Sequence, residues 1–195
     1  AMKKGAKPVK KENIWNIPNT LTFIRVIITF AILYLIFARY ALTIVAIFFI
    51  IGMLTDFFDG QIARRTKTTT EFGRRFDIIA DRFLMICTAH ALIIDFSIQG
   101  ILTRGHMLQV FFILSREIVS FPFALVAFIG QRPIPHARFI GKLTTFMQGI
   151  TLPAILLSTR YEIFSFSLYL SITTGIIGVI SAFVYMKDLQ QQGVS

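Results

Sequence analysis

Residues 56–81 read DFFDGQIARRTKTTTEFGRRFDIIAD, four aspartates and five basic residues set between two apolar runs at 41–58 and 76–98. A run of about 20 mostly apolar residues is long enough to cross a bilayer as a helix. The charges therefore sit at the ends of two candidate spans. Helical spacing puts Asp56 and Asp59 (i, i+3) on one face at the end of the second span, and Asp77 and Asp81 (i, i+4) on one face at the start of the third. If the two helices are neighbours, four carboxylates converge on one small volume.

The rest of the chain fits a lipid setting. Of 195 residues, 55% are hydrophobic, 21 are Phe and only 15% are charged, and mean hydropathy is +0.70. That leaves too little polar surface for a soluble shell. Six spans are expected, at about 20–38, 41–58, 76–98, 106–130, 140–158 and 164–186, giving an all-α integral membrane protein. Residues 1–19 form a basic juxtamembrane segment. Within it KKENIWNIPN, Lys10–Asn19, suits a short interfacial helix ended near Pro18. Residues 20–187 form the transmembrane domain and 188–195 a tail. No cleavable signal peptide is expected, because the first apolar run follows a long basic lead and others follow it.

The net charge of +10 is a topology and headgroup signal here, so membrane lipids rather than nucleic acid are the expected partners. With six spans, 14 Lys and Arg fall on the side of the termini and the 56–81 stretch. Only Arg39, Arg104 and Arg160 fall on the other, and Arg25, Arg82 and Arg116 lie within spans. Both termini and the charged stretch are thus expected in the cytoplasm. Cys87 is the only cysteine, which excludes an intrachain disulfide and a Cys-based zinc site.

Four carboxylates packed together repel unless they are protonated, paired with arginine or bound to metal. A solvated loop pairing them with Arg64, Arg65, Arg74 and Arg75 is one solution. An all-oxygen donor set taking Mg²⁺, Mn²⁺ or Ca²⁺ is another. Two such ions would hold a pyrophosphate in line for displacement. Gly60 either releases the helix or admits a ligand close to the backbone, and Arg64 suits a phosphate. Thr68, Thr69 and Thr70 add loop hydroxyls, and Gly73 precedes the next helix.

The full pattern is D-x2-D-G-x2-A-R-x8-G-x3-D-x3-D, at Asp56, Asp59, Gly60, Ala63, Arg64, Gly73, Asp77 and Asp81. It resembles the signature of the CDP-alcohol phosphotransferase family of integral membrane enzymes. That resemblance implies transfer of a substituted phosphate from a CDP-linked lipid donor to an alcohol, with release of CMP. It implies that Asp56, Asp59, Asp77 and Asp81 hold two divalent cations, Mg²⁺ or Mn²⁺, and that Asp81 is also the general base. Gly60, Arg64 and Thr70 would contact the CDP moiety, and the protein would be a homodimer. The site would lie in a prokaryotic cell membrane.

NIPNTLTFIR (Asn16–Arg25), SREIVS (Ser115–Ser120) and FIGKLTTFMQGI (Phe139–Ile150) look like segments of phosphatidylglycerophosphate synthases, and the first also like cardiolipin synthases of the same family. By that likeness Asn19 and Thr22 would help hold the donor. Arg116, Arg138 and Lys142, with Arg132 behind them, would take the phosphate of a phosphorylated polyol. An arginine within a span needs a partner, which favours a functional Arg116; Glu117 beside it is the structural alternative. One departure concerns the last two aspartates, where those synthases read L-D-P-x-A-D-K and this chain has Ile78 for the proline and Arg82 for the lysine. Glycerol 3-phosphate is the expected acceptor and inositol 1-phosphate the alternative.

A small cation transporter is the alternative from another class, but it would show repeated halves and broken helices, and no repeat is visible. A structural subunit with a vestigial site would not keep all four acids. Substrate-dependent CMP release separates the enzyme from both. His90, on an apolar face, reads as a satisfied core residue, and His136 in the 131–138 loop is a lesser candidate for the acceptor phosphate. Gly175 and Gly178 permit close packing or a bend.

Overall fold

The computed structural model describes residues 17–66, 71–129 and 139–192. Its regular structure is helical throughout: α1 (Ile17–Phe37), α2 (Leu42–Thr66), α3 (Glu71–Ile98), α4 (Arg104–Ile129), α5 (Phe139–Ser158) and α6 (Ser167–Gln192), with a 3-10 turn at Glu162–Phe164 before α6. Each expected span falls on its own helix. Among the described residues, three segments are long and apolar enough to cross a membrane: Asn19–Phe37, Phe139–Ser158 and Ser167–Asp188. A shorter apolar segment covers Leu42–Thr55. Helix α3 carries Asp77, Asp81, Arg82 and Asp95 along its length, which interrupts its apolar run.

The expected interfacial helix falls mostly on residues outside those described. Its end at Pro18 is corrected: α1 begins at Ile17 and takes in Pro18. A first helical turn tolerates proline because the N–H it lacks would be unsatisfied there in any case. Pro122 and Pro153 lie inside α4 and α5, where each leaves a carbonyl one turn earlier without its helical N–H donor.

The short links are sharply terminated. At the end of α1, Arg39 N–H donates to Ile36 O and Tyr40 N–H to Leu35 O, with Arg39 at φ 58°. At the end of α3, Gly100 N–H donates to Ser97 O and Ile101 N–H to Phe96 O, with Gly100 at φ 69°. Both are Schellman closures, which need a left-handed residue just past the helix. At the start of α4, Thr103 Oγ1 accepts the His106 N–H while His106 Nδ1 accepts the Thr103 N–H, a reciprocal cap with histidine in the usual place of Glu.

The helices close a ring in the order α1–α2–α5–α6–α4–α3. Among the described residues, helices α2 and α3, consecutive in sequence, touch little and are joined through α1, which packs along both. Helices α1 and α3 run in the same direction, with Phe23 against Phe76 (4.8 Å between ring centres) and Phe30 against Phe83 (5.8 Å). Helices α4 and α6 also run in the same direction. There Gln109 Nε2 donates to Ser167 Oγ (2.8 Å), and two α6 glycines admit α4 closely. A Cβ at Gly175 would lie 2.9 Å from the Phe112 carbonyl oxygen, and one at Gly178 3.1 Å from Arg116 Cβ. These glycines serve close packing.

Polarity is distributed as lipid requires. Ile27, Phe30, Tyr34, Phe139 and Tyr169 are exposed, whereas Arg25, Thr29, Glu117, Thr144, Gln148 and Thr151 are buried. Polar groups in a membrane protein face the interior, where they find partners. The apolar core, including Ile32, Ile36, Val45, Phe49, Leu92, Phe96, Leu152 and Ile155, fills the half of the ring away from the 67–70 link. The polar half lies toward that link.

Candidate active site

Both helices of the aspartate motif run past their apolar segments, leaving only residues 67–70 between them. Two expectations are corrected by this. Gly73 lies in the first turn of α3 rather than ahead of it, and Gly60 does not release its helix, because α2 continues to Thr66. A glycine in a helix interior costs about 1 kcal/mol, which good helix formers such as Gln61, Ala63, Arg64 and Arg65 offset around Gly60. On the backbone the four aspartates then fall at matched depths. Asp59 and Asp56 lie seven and ten residues before Thr66, and Asp77 and Asp81 lie six and ten residues after Glu71. At about 1.5 Å per residue, that is two pairs roughly 10 and 15 Å from the link.

Helix α1 holds the two arms together. Asn19, Thr22, Arg25 and Thr29 are all buried at helical spacing, a polar stripe that gives way to Ile32 and Ile36 further along. Arg25 is 0% exposed; its Nη1 donates to Asp77 Oδ1 at 2.7 Å and its Nε to Thr55 Oγ1 at 3.4 Å. Thr55 directly precedes Asp56, so one guanidinium reaches the root of the first arm and an aspartate of the second. Sequence reasoning missed Arg25. The signal was available, since the rule applied to Arg116, that an arginine within a span needs a partner, applies equally to it. Asn19 and Thr22 share this face, which brings the two expected donor-binding residues to the side of α1 that meets the motif.

A second polar cluster lies where α3, α4, α5 and α6 meet. Arg116 Nη1 donates to Thr145 Oγ1 (2.8 Å) and to Gln148 Oε1 (3.3 Å). Gln148 Nε2 in turn donates to Ile113 O and to Glu117 Oε2, both at 2.8 Å. Gln148 thus joins Arg116 to Glu117, two neighbours that do not face each other along α4. Exposed Lys142 lies one turn before Thr145 on the same face of α5. The structure therefore brings two of the three residues expected for an acceptor phosphate to one side of the ring. Arg82, Glu117 and Tyr185 are within electrostatic range of Arg116.

The donor set suits a hard divalent cation. Among the described residues no three acids or histidines are grouped, and the side chains of Asp56, Asp59 and Arg64 lie outside what is described, as do Thr70, Arg132, His136 and Arg138. Asp77 accepts from Arg25 through Oδ1, and a carboxylate has two oxygens and about four lone-pair sites. It can keep that bond and still ligate. Its side chain is 35% exposed, open to an approaching ligand. His90 is corrected in one respect: its Nδ1 donates to Ile86 O (2.8 Å), so it is satisfied, but the residue is exposed rather than core.

Comparison with known proteins points to one family. The family model described as CDP-alcohol phosphatidyltransferase matches residues 15–185. A Rickettsia typhi protein named CDP-diacylglycerol–glycerol-3-phosphate 3-phosphatidyltransferase is 32% identical over 171 residues, 87% of this chain and 90% of the relative. Proteins of the same name from Pectobacterium atrosepticum and Yersinia pestis are 36% identical over 146 residues (73% of this chain, 77% of the relative) and 33% identical over 176 (88% and 93%).

Proposed function

The chain belongs to the CDP-alcohol phosphatidyltransferase family, and on that premise we propose that it transfers a phosphatidyl group from CDP-diacylglycerol to glycerol 3-phosphate and releases CMP. The observation that carries this is the Arg25 clamp. It ties Thr55, beside Asp56, to Asp77, so both arms of the aspartate motif rest on one helix with their acids at matched depth. The Arg116–Thr145–Lys142 face supplies cationic groups for a phosphorylated acceptor. The names of the relatives favour glycerol 3-phosphate over inositol 1-phosphate.

All six helices cross the membrane in this account, with both termini and the 67–70 link in the cytoplasm, and the protein acts as a homodimer. Members of the family generally depend on divalent metal. Asp56, Asp59, Asp77 and Asp81 hold two divalent cations, Mg²⁺ or Mn²⁺, which when bound offset the charge of the donor's pyrophosphate. Asn19, Thr22, Gly60, Arg64 and Thr70 hold the CDP moiety. Arg116, Arg138 and Lys142 hold the acceptor by its phosphate. Asp81 takes the proton of the acceptor hydroxyl. Its oxygen then bonds to the β-phosphorus, and the bond from that phosphorus to the bridging oxygen breaks, freeing CMP.

Mass spectrometry of the lipid formed by purified protein in proteoliposomes tests this. Phosphatidylglycerophosphate made from CDP-diacylglycerol and glycerol 3-phosphate is the expected product. A phosphatidylinositol phosphate made preferentially from inositol 1-phosphate would move the acceptor, and no lipid product with either would overturn the assignment.

A further inference from the structure

A guanidinium that meets a carboxylate commonly engages both oxygens with two parallel N–H donors. Arg25 does not do this with Asp77. Its Nη1 donates to Oδ1 at 2.7 Å, while its Nε turns to Thr55 Oγ1 at 3.4 Å. Among the described residues, Oδ1 is the one oxygen of Asp77 so engaged, and the side chain stays 35% exposed. The aspartate is tied on one side only.

The surroundings of Arg25 hold this arrangement in place. The arginine is 0% exposed. Thr55, which faces its Nε, is itself fixed by donating to Gly52 O at 2.6 Å, and the Arg25 carbonyl accepts from Thr29 Oγ1 at 2.9 Å. One turn from Thr55 the first three helices meet tightly: a Cβ at Gly52 would lie 3.0 Å from Leu84 Cδ2 and 3.4 Å from Ile28 Cγ2. The guanidinium sits in a packed frame, and Asp77 is held by it.

That geometry bears on the choice of cation. Ca²⁺ gathers many oxygens in a flexible shell and often takes both from one carboxylate, whereas Mg²⁺ is smaller and demands a near-octahedral shell. A carboxylate with one oxygen held by a charge-assisted hydrogen bond can ligate through the other. It cannot close on one ion with both. Outer residues that orient a ligand in this way change metal affinity by about 10–100-fold when they are lost.

We propose that Arg25 is a positioning residue that sets the cation selectivity of the site. By holding Asp77 through Oδ1 it restricts that aspartate to ligation by one oxygen, which favours Mg²⁺ over Ca²⁺. This rests on the reading above that Asp77 is a metal ligand. It names the residue that decides between two cations which the acids alone would both accept.

The test uses the full-length protein in detergent, stripped of divalent cations and without substrate. Mg²⁺ and Ca²⁺ are titrated separately into wild type, Arg25→Lys and Arg25→Met, and each Kd is taken from the rise in thermal midpoint. In the wild type Ca²⁺ is expected to bind no more tightly than Mg²⁺. Removing Arg25 also takes a positive charge from the site, which strengthens both cations alike because their charges are equal. The ratio of the two Kd values is free of that effect. Arg25→Met is expected to shift the ratio toward Ca²⁺ by about tenfold, and Arg25→Lys, which keeps one charged donor, by less. An unchanged ratio in Arg25→Met would overturn the proposal. So would a wild type that prefers Ca²⁺ by about tenfold, and that arm answers even if Arg25→Met does not fold. Protection by both cations at an unchanged ratio leaves metal binding standing, whereas protection by neither in the wild type overturns the metal site itself.

Discussion

Arg25 on the first helix donates through Nη1 to Asp77 Oδ1 on the third at 2.7 Å, and the arginine in that pair is completely buried. Helix α1 therefore forms part of the candidate site, because it sets the position of an aspartate 52 residues away. Breaking a buried pair from one side leaves the other charge without its partner, which costs about 3–5 kcal/mol when both ends are buried. Asp77 is 35% exposed, so Arg25→Ala should cost less, about 1–3 kcal/mol after allowing for solvent. Asp77→Asn strands the fully buried cation and should cost more. Thermal unfolding in detergent checks the order: Asp77→Asn least stable, then Arg25→Ala, with Asp81→Asn near wild type.

Gln148 offers a separate handle on the proposed acceptor site. Its amide links Arg116 to Glu117 and to the Ile113 carbonyl. Gln148→Leu removes those bonds and frees the Arg116 guanidinium to move. The loss of one hydrogen bond to a charged group is worth about 1.5–3 kcal/mol. The acceptor KM should rise by roughly tenfold or more, with little change in donor KM. An equal rise in both would mean a general loss of structure.

The α4–α6 contact should be intolerant of added bulk. A Cβ at Gly175 would meet Phe112 Cδ1 at 2.8 Å and the Phe112 carbonyl oxygen at 2.9 Å, whereas at Gly178 it would meet Arg116 Cβ at 3.1 Å. Backbone cannot yield as a side chain can, so Gly175→Ala should destabilise by about 1–3 kcal/mol. Gly178→Ala should cost less stability but displace Arg116, and should show more in acceptor KM than in thermal midpoint.

At the other end of α1, Arg39 adopts φ 58° at the close of a Schellman turn. Left-handed backbone costs a residue with a Cβ roughly 1–2 kcal/mol, and glycine gives back part of that in chain entropy. Arg39→Gly should raise stability by about 0.5–1 kcal/mol, read as a higher thermal midpoint with unchanged turnover.

Much of this architecture was legible from residue pattern alone. Six apolar runs became six helices, and the Asp56–Asp81 string identified the family that the comparison then matched. What stayed hidden were relations between helices. Nothing in the sequence says that α2 and α3, joined by four residues, meet mainly through α1, or that Arg25 is the joint. Gly73 was misplaced because glycine ahead of an apolar run reads as a boundary, while the helical propensity of its neighbours carries α3 back to Glu71. The neighbourhood of Arg82 depends on which face of α3 meets α4, and helical period fixes a face without naming its partner.

The proposed metal site at the four aspartates predicts metal dependence. Chelating divalent cations from the purified protein should remove several kcal/mol of transition-state stabilisation, at least about a hundredfold in rate. Adding back Mg²⁺ or Mn²⁺ should restore it. Activity unaffected by chelation would leave the aspartates as a purely structural cluster.

The most direct measurement is CMP release by wild type and Asp81→Asn with CDP-diacylglycerol, supplying glycerol 3-phosphate in one arm and inositol 1-phosphate in the other. The account predicts release with glycerol 3-phosphate, little with inositol 1-phosphate, and a fall of about 10²–10⁴-fold in Asp81→Asn with the fold intact. Full activity in Asp81→Asn, or no release by the wild type with either acceptor, would contradict it.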